Sequence, residues 1–152
     1  MTYIKNTITI VLLSSLLFCA GCSKDDSPDP KVVALNKQLE ALMNEGSSWV
    51  LGSTGSVIKD DIDVSSQFTG FNLTIGNKTY TTQNSLGHVW KTSGTWDFQG
   101  DNINQIVRDG SVAVSVSHDD NNLTLTFVAG GKSEGARVNS ISGEYVFNLV
   151  SE

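Results

Sequence analysis

The spacing of apolar positions changes once along the chain, and the change separates a helical part from a β part. Between residues 30 and 46, apolar side chains recur every three to four positions, as on a helix with one buried face. These residues are Val32, Leu35, Leu39, Leu42 and Met43. Asp29 suits the N-cap, Pro30 the first turn and Gly46 the C-terminal end. The pattern therefore predicts one amphipathic α-helix over residues 30–46.

From Trp49 onward, apolar and polar positions alternate, which is typical of half-buried β-strands. Eight short strands are predicted, separated by turn residues such as Gly76-Asn77 and Gln99-Gly100-Asp101. The predicted inward side chains are Trp49, Leu51, Phe71, Leu73, Ile75, Tyr80, Trp96, Phe98, Val112, Val114, Val116, Leu123, Leu125, Phe127, Tyr145, Phe147 and Leu149. Residues 47–152 are thus expected to be all-β, forming an eight-stranded antiparallel up-and-down barrel after the helix.

One predicted strand, residues 102–108, is irregular, because Ile103, Ile106 and Val107 do not share one phase. A strand that does not alternate cleanly leaves its pairing poorly specified. The β-sandwich therefore remains the alternative architecture.

Connection lengths predict that the two ends of the barrel differ. The links between strands two and three, four and five, and six and seven are tight turns, whereas residues 53–69, 83–91 and 129–140 form long connections. Alternate connections of an up-and-down barrel lie at opposite ends. We therefore expect the tight turns at one end and the long loops at the other. The many large inward side chains predict a mostly filled interior, with any pocket shallow and near the long-loop rim.

Four residues near the long loops are candidates for ligand binding: His88, Trp90, Arg108 and Arg137. A rim tryptophan could stack on a sugar or an aromatic ligand, and the two arginines could hold a carboxylate. A structural role is the alternative for each kind of residue. Trp90 would then anchor its loop over the barrel mouth.

In the same structural alternative, the two arginines would pair with acidic residues of the first long connection. Those acids are Asp60, Asp61 and Asp63.

The N-terminal segment has the features of a secretory signal peptide. An apolar run over residues 8–18 follows Lys5, and it is shorter than the roughly 20 residues that a membrane span needs. Ala20-Gly21-Cys22 resembles the lipobox of bacterial lipoproteins, although Cys19 occupies the position where Leu is commonest. The resemblance implies removal of residues 1–21 and acylation of Cys22, with palmitate among its acyl chains. A metal-binding or redox Cys-x-x-Cys would need a folded context or further ligands, and neither is near.

Residues 22–29 are polar and are expected to form a flexible tether between the lipid and the helix. Ser23-Lys24-Asp25-Asp26 resembles the signal that sends Bacteroidetes lipoproteins to the outer face of the outer membrane. The resemblance implies a lipid-anchored protein displayed at the cell surface.

The β part resembles the small lipocalin-like domains of Bacteroidetes lipoproteins. The residues that carry this resemblance are Gly46-Ser-Ser-Trp49, Ser93-Gly-Thr-Trp96-Asp-Phe98, and Arg137 with Gly143-Glu-Tyr145-Val-Phe147. The lipocalin opening motif is Gly-x-Trp, and here one extra residue intervenes. The resemblance implies a barrel able to bind a small molecule.

Charge and motifs exclude several functions. The chain carries a net charge of −6, and removal of residues 1–21 makes it −7, which argues against nucleic acid as a partner. His88 and His118 are the only histidines, and they are predicted at opposite ends of the barrel. No serine-hydrolase, phosphate-loop or dinucleotide motif occurs. The sequence therefore predicts no enzyme, no cofactor and no metal site.

We expect a non-enzymatic module that binds a small ligand or a glycan through its long-loop rim. The alternative is an accessory subunit of an outer-membrane protein complex, held beside its partners by the short tether.

Overall fold

The computed structural model describes residues 27–130 and 141–152. The signal peptide, Cys22 and most of the tether lie outside the described residues, as does Arg137. The predictions made for them stay predictions. Within the described ranges, no helix is both long enough and apolar enough to cross a membrane.

The predicted helix is present and begins at the predicted residue, but its last three predicted residues form a 3-10 turn. Helix α1 spans Pro30–Met43, and a single 3-10 turn over Asn44–Gly46 follows it. The Asp29 carboxylate accepts a hydrogen bond from the backbone N–H of Lys31 at 2.9 Å, which is the capping contact its position predicts. The helix ends where Asn44 adopts a left-handed backbone with φ of 48°.

Ten strands follow the helix in chain order. They are β1 Trp49–Val50, β2 Ser56–Lys59, β3 Ile62–Asp63, β4 Asn72–Gly76, β5 Thr79–Gln83, β6 Ser93–Gln99, β7 Asn102–Arg108, β8 Val112–His118, β9 Asn122–Ala129 and β10 Gly143–Ser151. Eight of them form a closed antiparallel barrel in the order β1, β4, β5, β6, β7, β8, β9, β10, which β1 closes by pairing with β10. The prediction of a lipocalin-like up-and-down barrel preceded by a helix is confirmed.

The first long connection is more ordered than the sequence suggested. Strands β2 and β3 form a hairpin within it, β2 pairs with β10, and a 3-10 helix over Ser65–Phe68 leads back to the barrel. Asp60 and Asp61 make the hairpin turn, with φ of 45° and 67°. The Asp60 carboxylate accepts the backbone N–H of Glu144, and that of Asp63 accepts the N–H of Ser65. The Asp60 carboxylate thus binds the backbone of β10, and the Asp63 carboxylate binds the backbone just after β3.

Side chains fill the barrel interior. All the predicted inward residues are buried except Phe98 and Val112, which are half-buried and pack against the core. Further buried residues come from the helix, the connections and β7, among them Leu42, Phe68, Val89, Trp90 and Ile106. The space between them is a cavity of about 20 Å³.

Helix α1 closes the end of the barrel that carries the turns β4–β5, β6–β7 and β8–β9, which we call the base. Leu42 enters the core there, and its carbonyl accepts the indole N–H of Trp49 at 2.9 Å. Lys31, in the first turn of α1, pairs with Asp101 of the β6–β7 turn at 2.8 Å.

The opposite end, which we call the mouth, carries the long connections. It also holds a tight turn that the prediction placed at neither end: Asp109 and Gly110 join β7 to β8 with φ of 52° and 71°. A type I′ turn requires two successive positive φ values, and Asp-Gly is a preferred sequence for it. The expectation that every tight turn lies at the base is therefore wrong.

Candidate functional site at the barrel mouth

A groove of about 210 Å³ opens at the mouth. It is lined by residues 87–89, 91, 108–109, 111–112 and 128–130. We call it the mouth groove. His88 and Arg108, two of the predicted ligand-binding residues, both line it. His88 is exposed on the connection between β5 and β6, whereas Arg108 ends strand β7.

The sequence predicted that Trp90 lies on the rim. The structure corrects this, because Trp90 is 3% exposed and lies in the core. Leu86 turns the chain inward there by accepting the backbone N–H groups of both Val89 and Trp90, at 2.7 and 2.8 Å. The indole ring meets the ring of Phe127 edge to face at 4.9 Å, and other core rings surround it. Its faces are occupied, so this arrangement leaves none for stacking on a sugar. The alternative of a loop anchor describes its contacts.

Arg108 is also buried, at 5% exposure, which corrects its predicted place on the rim. Arg108 lies two positions after buried Ile106 on β7, and side chains two apart on a strand share a face. The sequence alone shows that Ile106 and Arg108 are two positions apart, and Arg108 is buried because it shares the inward face of β7 with Ile106.

The guanidinium group of Arg108 packs on aromatic rings. Its central carbon lies 4.2 Å from the ring centroid of Trp90 and 4.4 Å from that of Phe127. Its Nη2 donates to the carbonyl of Val89 at 3.1 Å. Its Nε and Nη1 have no hydrogen-bond partner among the described residues.

Burial lowers the pKa of Arg108, while the nearby oxygen groups of Tyr80 and Asp109 oppose that effect. An arginine keeps its proton even so, because its ordinary pKa is far above neutral. The mouth groove therefore has a buried and poorly paired cation in its wall.

The adjacent carboxylate, Asp109, is engaged elsewhere. It accepts the hydroxyl proton of Tyr80 at 2.9 Å and the backbone N–H of Thr95 at 3.2 Å, and Lys91 Nζ lies 3.5 Å away. No ion pair with Arg108 is present among the described residues, which excludes in this arrangement the predicted pairing with Asp60, Asp61 or Asp63.

These contacts change the titration of both groups. Burial raises the pKa of Asp109, but the Tyr80 and Thr95 hydrogen bonds and the Lys91 charge outweigh it and hold that pKa below its ordinary 3.8. Burial, together with the Asp109 carboxylate, raises the pKa of Tyr80 well above its ordinary value. Tyr80 therefore remains a hydrogen-bond donor, and Asp109 remains an acceptor, throughout the neutral range.

Gly94 on β6 makes room for this pair. A β-carbon at that position would collide with Asp109 Oδ1 and would lie 2.5 Å from the Tyr80 hydroxyl oxygen. The absence of a side chain therefore lets Tyr80 and Asp109 meet against the backbone of β6.

A second and larger groove, of about 610 Å³, lies at the seam between β1, β4 and the first connection. Small and neutral residues such as Gly52, Ser65 and Gly70 dominate its walls, with Glu152 at one side. None of the predicted ligand-binding residues of the described chain contributes to it. It also lacks a buried polar group without a partner, so it is a weaker candidate site than the mouth groove.

The two histidines lie at opposite ends, as predicted. His118 packs edge to face on Trp49 at 5.5 Å near the base, whereas His88 lines the mouth groove. Among the residues that the structure describes, no three His, Cys, Asp or Glu side chains are grouped as metal ligands.

Sequence reasoning missed Lys91 and Tyr80 as members of this site, and it did not connect Asp109 with them. The Asp-Gly turn signal at residues 109–110 could have placed Asp109 at the mouth. The hydrogen bond between Tyr80 and Asp109 joins residues 29 positions apart and leaves no local signal.

Comparison with known proteins does not assign the chain to a family. No family model matches the chain, and searches of curated proteins and of solved structures find no match either.

Proposed function

We propose that this protein is a lipid-anchored, non-enzymatic binding module of the outer-membrane surface, and that it holds a small ligand in the mouth groove. The observation that carries the proposal is buried Arg108, which has two unpartnered nitrogens and lies in the wall of an open groove. Ligand sites combine apolar walls with a few well-placed polar groups, and this groove places Lys91 and Ser111 beside Val112 and Val128.

The groove volume limits the ligand. Sites for drug-sized molecules measure roughly 300–1,000 Å³, and the mouth groove has about 210 Å³. A metabolite or a single sugar ring suits this size better than an oligosaccharide. The cavity that the described residues enclose in the barrel interior measures only about 20 Å³, which is too small for either.

Binding without catalysis fits the chemistry of the groove. A general base needs a free acceptor near the substrate, whereas Asp109 already accepts from Tyr80 and Thr95. Lys91 is likewise held near that carboxylate. These contacts support a fixed polar wall more than a proton-transferring one.

The proposed lipid anchor determines which end of the barrel is attached to the membrane. The proposed lipid on Cys22 and the tether of residues 22–29 lead into α1, which lies at the base and contacts the β6–β7 turn through Lys31. Attachment at the base leaves the mouth at the end of the barrel far from the attachment point, where it is open to diffusing ligands. Substitution Cys22→Ala should release the protein from the membrane fraction, and a C22A variant that stays lipid-anchored would contradict this part of the proposal.

Ligand binding is tested with the full mature chain in detergent. A library of metabolites and mono- and disaccharides is screened by thermal shift, and each hit is measured by calorimetry. We expect a hit whose affinity falls in Lys91→Ala and is unchanged in Lys37→Ala, a matched control on the exposed face of α1. Hits that bind K91A and wild type equally would contradict a site in the mouth groove.

A second candidate function is docking to an outer-membrane protein partner. Three apolar side chains at the mouth end are exposed: Ile62 at 67%, Val128 at 63% and Leu86 at 38%. The other two large apolar side chains exposed in the described chain, Val32 and Val33, lie on α1. Exposed apolar side chains indicate a protein interaction surface when they form a contiguous patch. Crosslinking in intact cells should then recover a stoichiometric partner that is lost in Ile62→Asp with Val128→Asp. Recovery of no such partner would count against docking.

A further inference from the structure

The described part of the chain contains three buried side-chain nitrogens without a hydrogen-bond partner, and they belong to two residues in contact. They are Nε1 of Trp90 and Nε and Nη1 of Arg108. All three are donors, and the guanidinium lies 4.2 Å from the Trp90 ring centroid. Buried polar groups in native proteins nearly always have partners, so a cluster of donors without one needs a physical explanation.

The rest of the barrel satisfies its buried indoles. Trp49 Nε1 donates to the carbonyl of Leu42 at 2.9 Å, and Trp96 Nε1 donates to the carbonyls of Gly76 and Thr79 at 3.0 and 3.1 Å. Unpaired indole donors are therefore not a general property of this core. They are confined to the Trp90–Arg108 contact at the mouth.

In the described chain no carboxylate makes an ion pair or hydrogen bond with this cluster, although the nearby charge of Asp109 favours the Arg108 cation. Asp109 binds Tyr80, Thr95 and Lys91, and the acceptor of Arg108 is the Val89 carbonyl. A buried cation is costly unless it is paired and hydrogen-bonded. The missing chemical partner is an acceptor that carries negative charge.

Position and space define which acceptor can enter. Arg108 lines both the interior cavity of about 20 Å³ and the mouth groove of about 210 Å³. A cavity needs about 10–15 Å³ to admit one water-sized guest. The inner space therefore takes only a compact group, while the groove can hold the remainder of a small molecule.

We propose that Arg108 and Trp90 form an anion-binding centre at the floor of the mouth groove, and that its ligand is a small organic acid bound through its carboxylate. The acid's body lies in the groove, where Lys91 adds a second positive charge. This inference rests on the proposed ligand-binding function and specifies the class of ligand.

Binding requires a local movement that can be observed. The unpartnered nitrogens of Arg108 and Trp90 have almost no exposed surface, so groups packed around this contact must shift for the carboxylate to reach them. The environment of the Trp90 ring then changes, and tryptophan fluorescence reports the event.

The test titrates the full mature chain with sodium acetate, sodium lactate and sodium bromide, with acetamide as the uncharged match for acetate. Binding is followed by calorimetry and by tryptophan fluorescence. We expect saturable binding of the two carboxylates, tighter for lactate because its body contacts the groove, and none of acetamide. Binding of bromide with no binding of either carboxylate would overturn the proposal, because it would indicate a simple halide site.

Substitutions of Arg108 distinguish a role in binding carboxylates from a purely structural role. Arg108→Met keeps the length and apolar packing of the side chain, and we expect it to weaken carboxylate binding by at least about tenfold, since a hydrogen bond to a charged group exceeds one tenfold step in affinity. Arg108→Lys retains the charge without the planar guanidinium and should bind with intermediate affinity, while Lys37→Ala should bind like wild type. Folding of R108M is checked by its circular dichroism and cooperative unfolding.

Two outcomes of the variant measurements would also overturn the inference. One is carboxylate binding by R108M equal to that of wild type. The other is a hit from the library screen that needs Lys91 but binds R108M unchanged; that result would leave the proposed function standing and reject only the anionic class of ligand.

Discussion

The base and the mouth of the barrel differ in whether their buried side-chain donors have hydrogen-bond acceptors. At the base, the indole N–H groups of Trp49 and Trp96 donate to backbone carbonyls of Leu42, Gly76 and Thr79. At the mouth, the indole of Trp90 has no acceptor in the described chain, and it packs on a guanidinium with two further unpaired nitrogens. The same residue type is therefore satisfied at one end of the molecule and left unsatisfied at the other.

We infer from this difference that the base mainly determines the stability of the fold and that the mouth mainly determines ligand binding. The base joins helix, turns and strands through satisfied hydrogen bonds around apolar side chains, so changes there should mainly alter the free energy of unfolding. The mouth keeps a buried cation that makes no direct ion pair in the described chain and has two unpartnered nitrogens, and such incompletely satisfied buried groups are concentrated at functional sites. Changes there should alter ligand binding more than stability.

The largest expected effect is at the base. Leu42 is 1% exposed and joins α1 to the barrel core, so Leu42→Ala removes buried methyl groups and leaves a cavity. We expect a loss of about 2–5 kcal/mol in the free energy of unfolding, measured by urea denaturation. Val33→Ala is the control on the same helix, because Val33 is 48% exposed and should change stability by less than about 0.5 kcal/mol. Equal effects of the two variants would show that α1 does not close the base.

A smaller effect is expected where β6 supports the mouth. Gly94→Ala places a methyl group against Asp109 Oδ1 and the Tyr80 hydroxyl, so one of them must move. We expect a cost of about 1–3 kcal/mol, as for other insertions into packed sites. Gly87→Ala should be nearly neutral, because nothing lies within 4 Å of the point that a β-carbon would occupy there. A stable G94A protein with an intact Tyr80–Asp109 hydrogen bond would contradict this packing.

A further prediction concerns the charge of Asp109. Asparagine tolerates the left-handed backbone at this position, so Asp109→Asn removes the charge with little strain. The loss of charge-assisted hydrogen bonds should cost about 1–2 kcal/mol at pH 7. Because folding holds the pKa of Asp109 below its ordinary 3.8, its contribution is present above that value and is lost as the pH falls through the folded pKa.

Denaturation of the wild type and D109N across the acid range tests this linkage. The other acidic groups are common to both proteins, so they largely cancel in the difference between the two. That difference should be present at pH 7 and should vanish at acid pH. A difference that does not depend on pH would assign the effect of the substitution to packing instead of charge.

Much of the fold could be predicted from the sequence because its signals are local. The capped apolar stripe of residues 30–46 gave the helix, and two-residue alternation gave the eight barrel strands with almost all of their inward side chains. The β2–β3 hairpin was missed, because strands of four and two residues carry little periodicity. A bulge between Phe98 and Gln99 shifts the register of β6 on β7, next to the irregular strand of residues 102–108.

The candidate site was less predictable because it depends on depth within the barrel. Sequence position places His88, Trp90 and Arg108 at the long-loop end, and the structure brings all three to the mouth. Whether a side chain lies on the rim or in the core depends on how its connection folds. For Trp90, the turn in which the Leu86 carbonyl accepts two backbone N–H groups places the side chain in the core. The phase shared by Ile106 and Arg108 was the one local sign that Arg108 points inward.

The measurement that tests the contrast between base and mouth most directly is the free energy of unfolding of Arg108→Met, without added anion. Burying a charge without a full set of partners costs free energy, and that cost offsets much of what Arg108 contributes to stability, whereas breaking a satisfied buried pair costs about 3–5 kcal/mol. Urea denaturation of R108M should therefore give a free energy of unfolding within about 1 kcal/mol of wild type. A loss of about 3 kcal/mol or more would contradict the account, because it would make Arg108 a satisfied structural residue like those of the base.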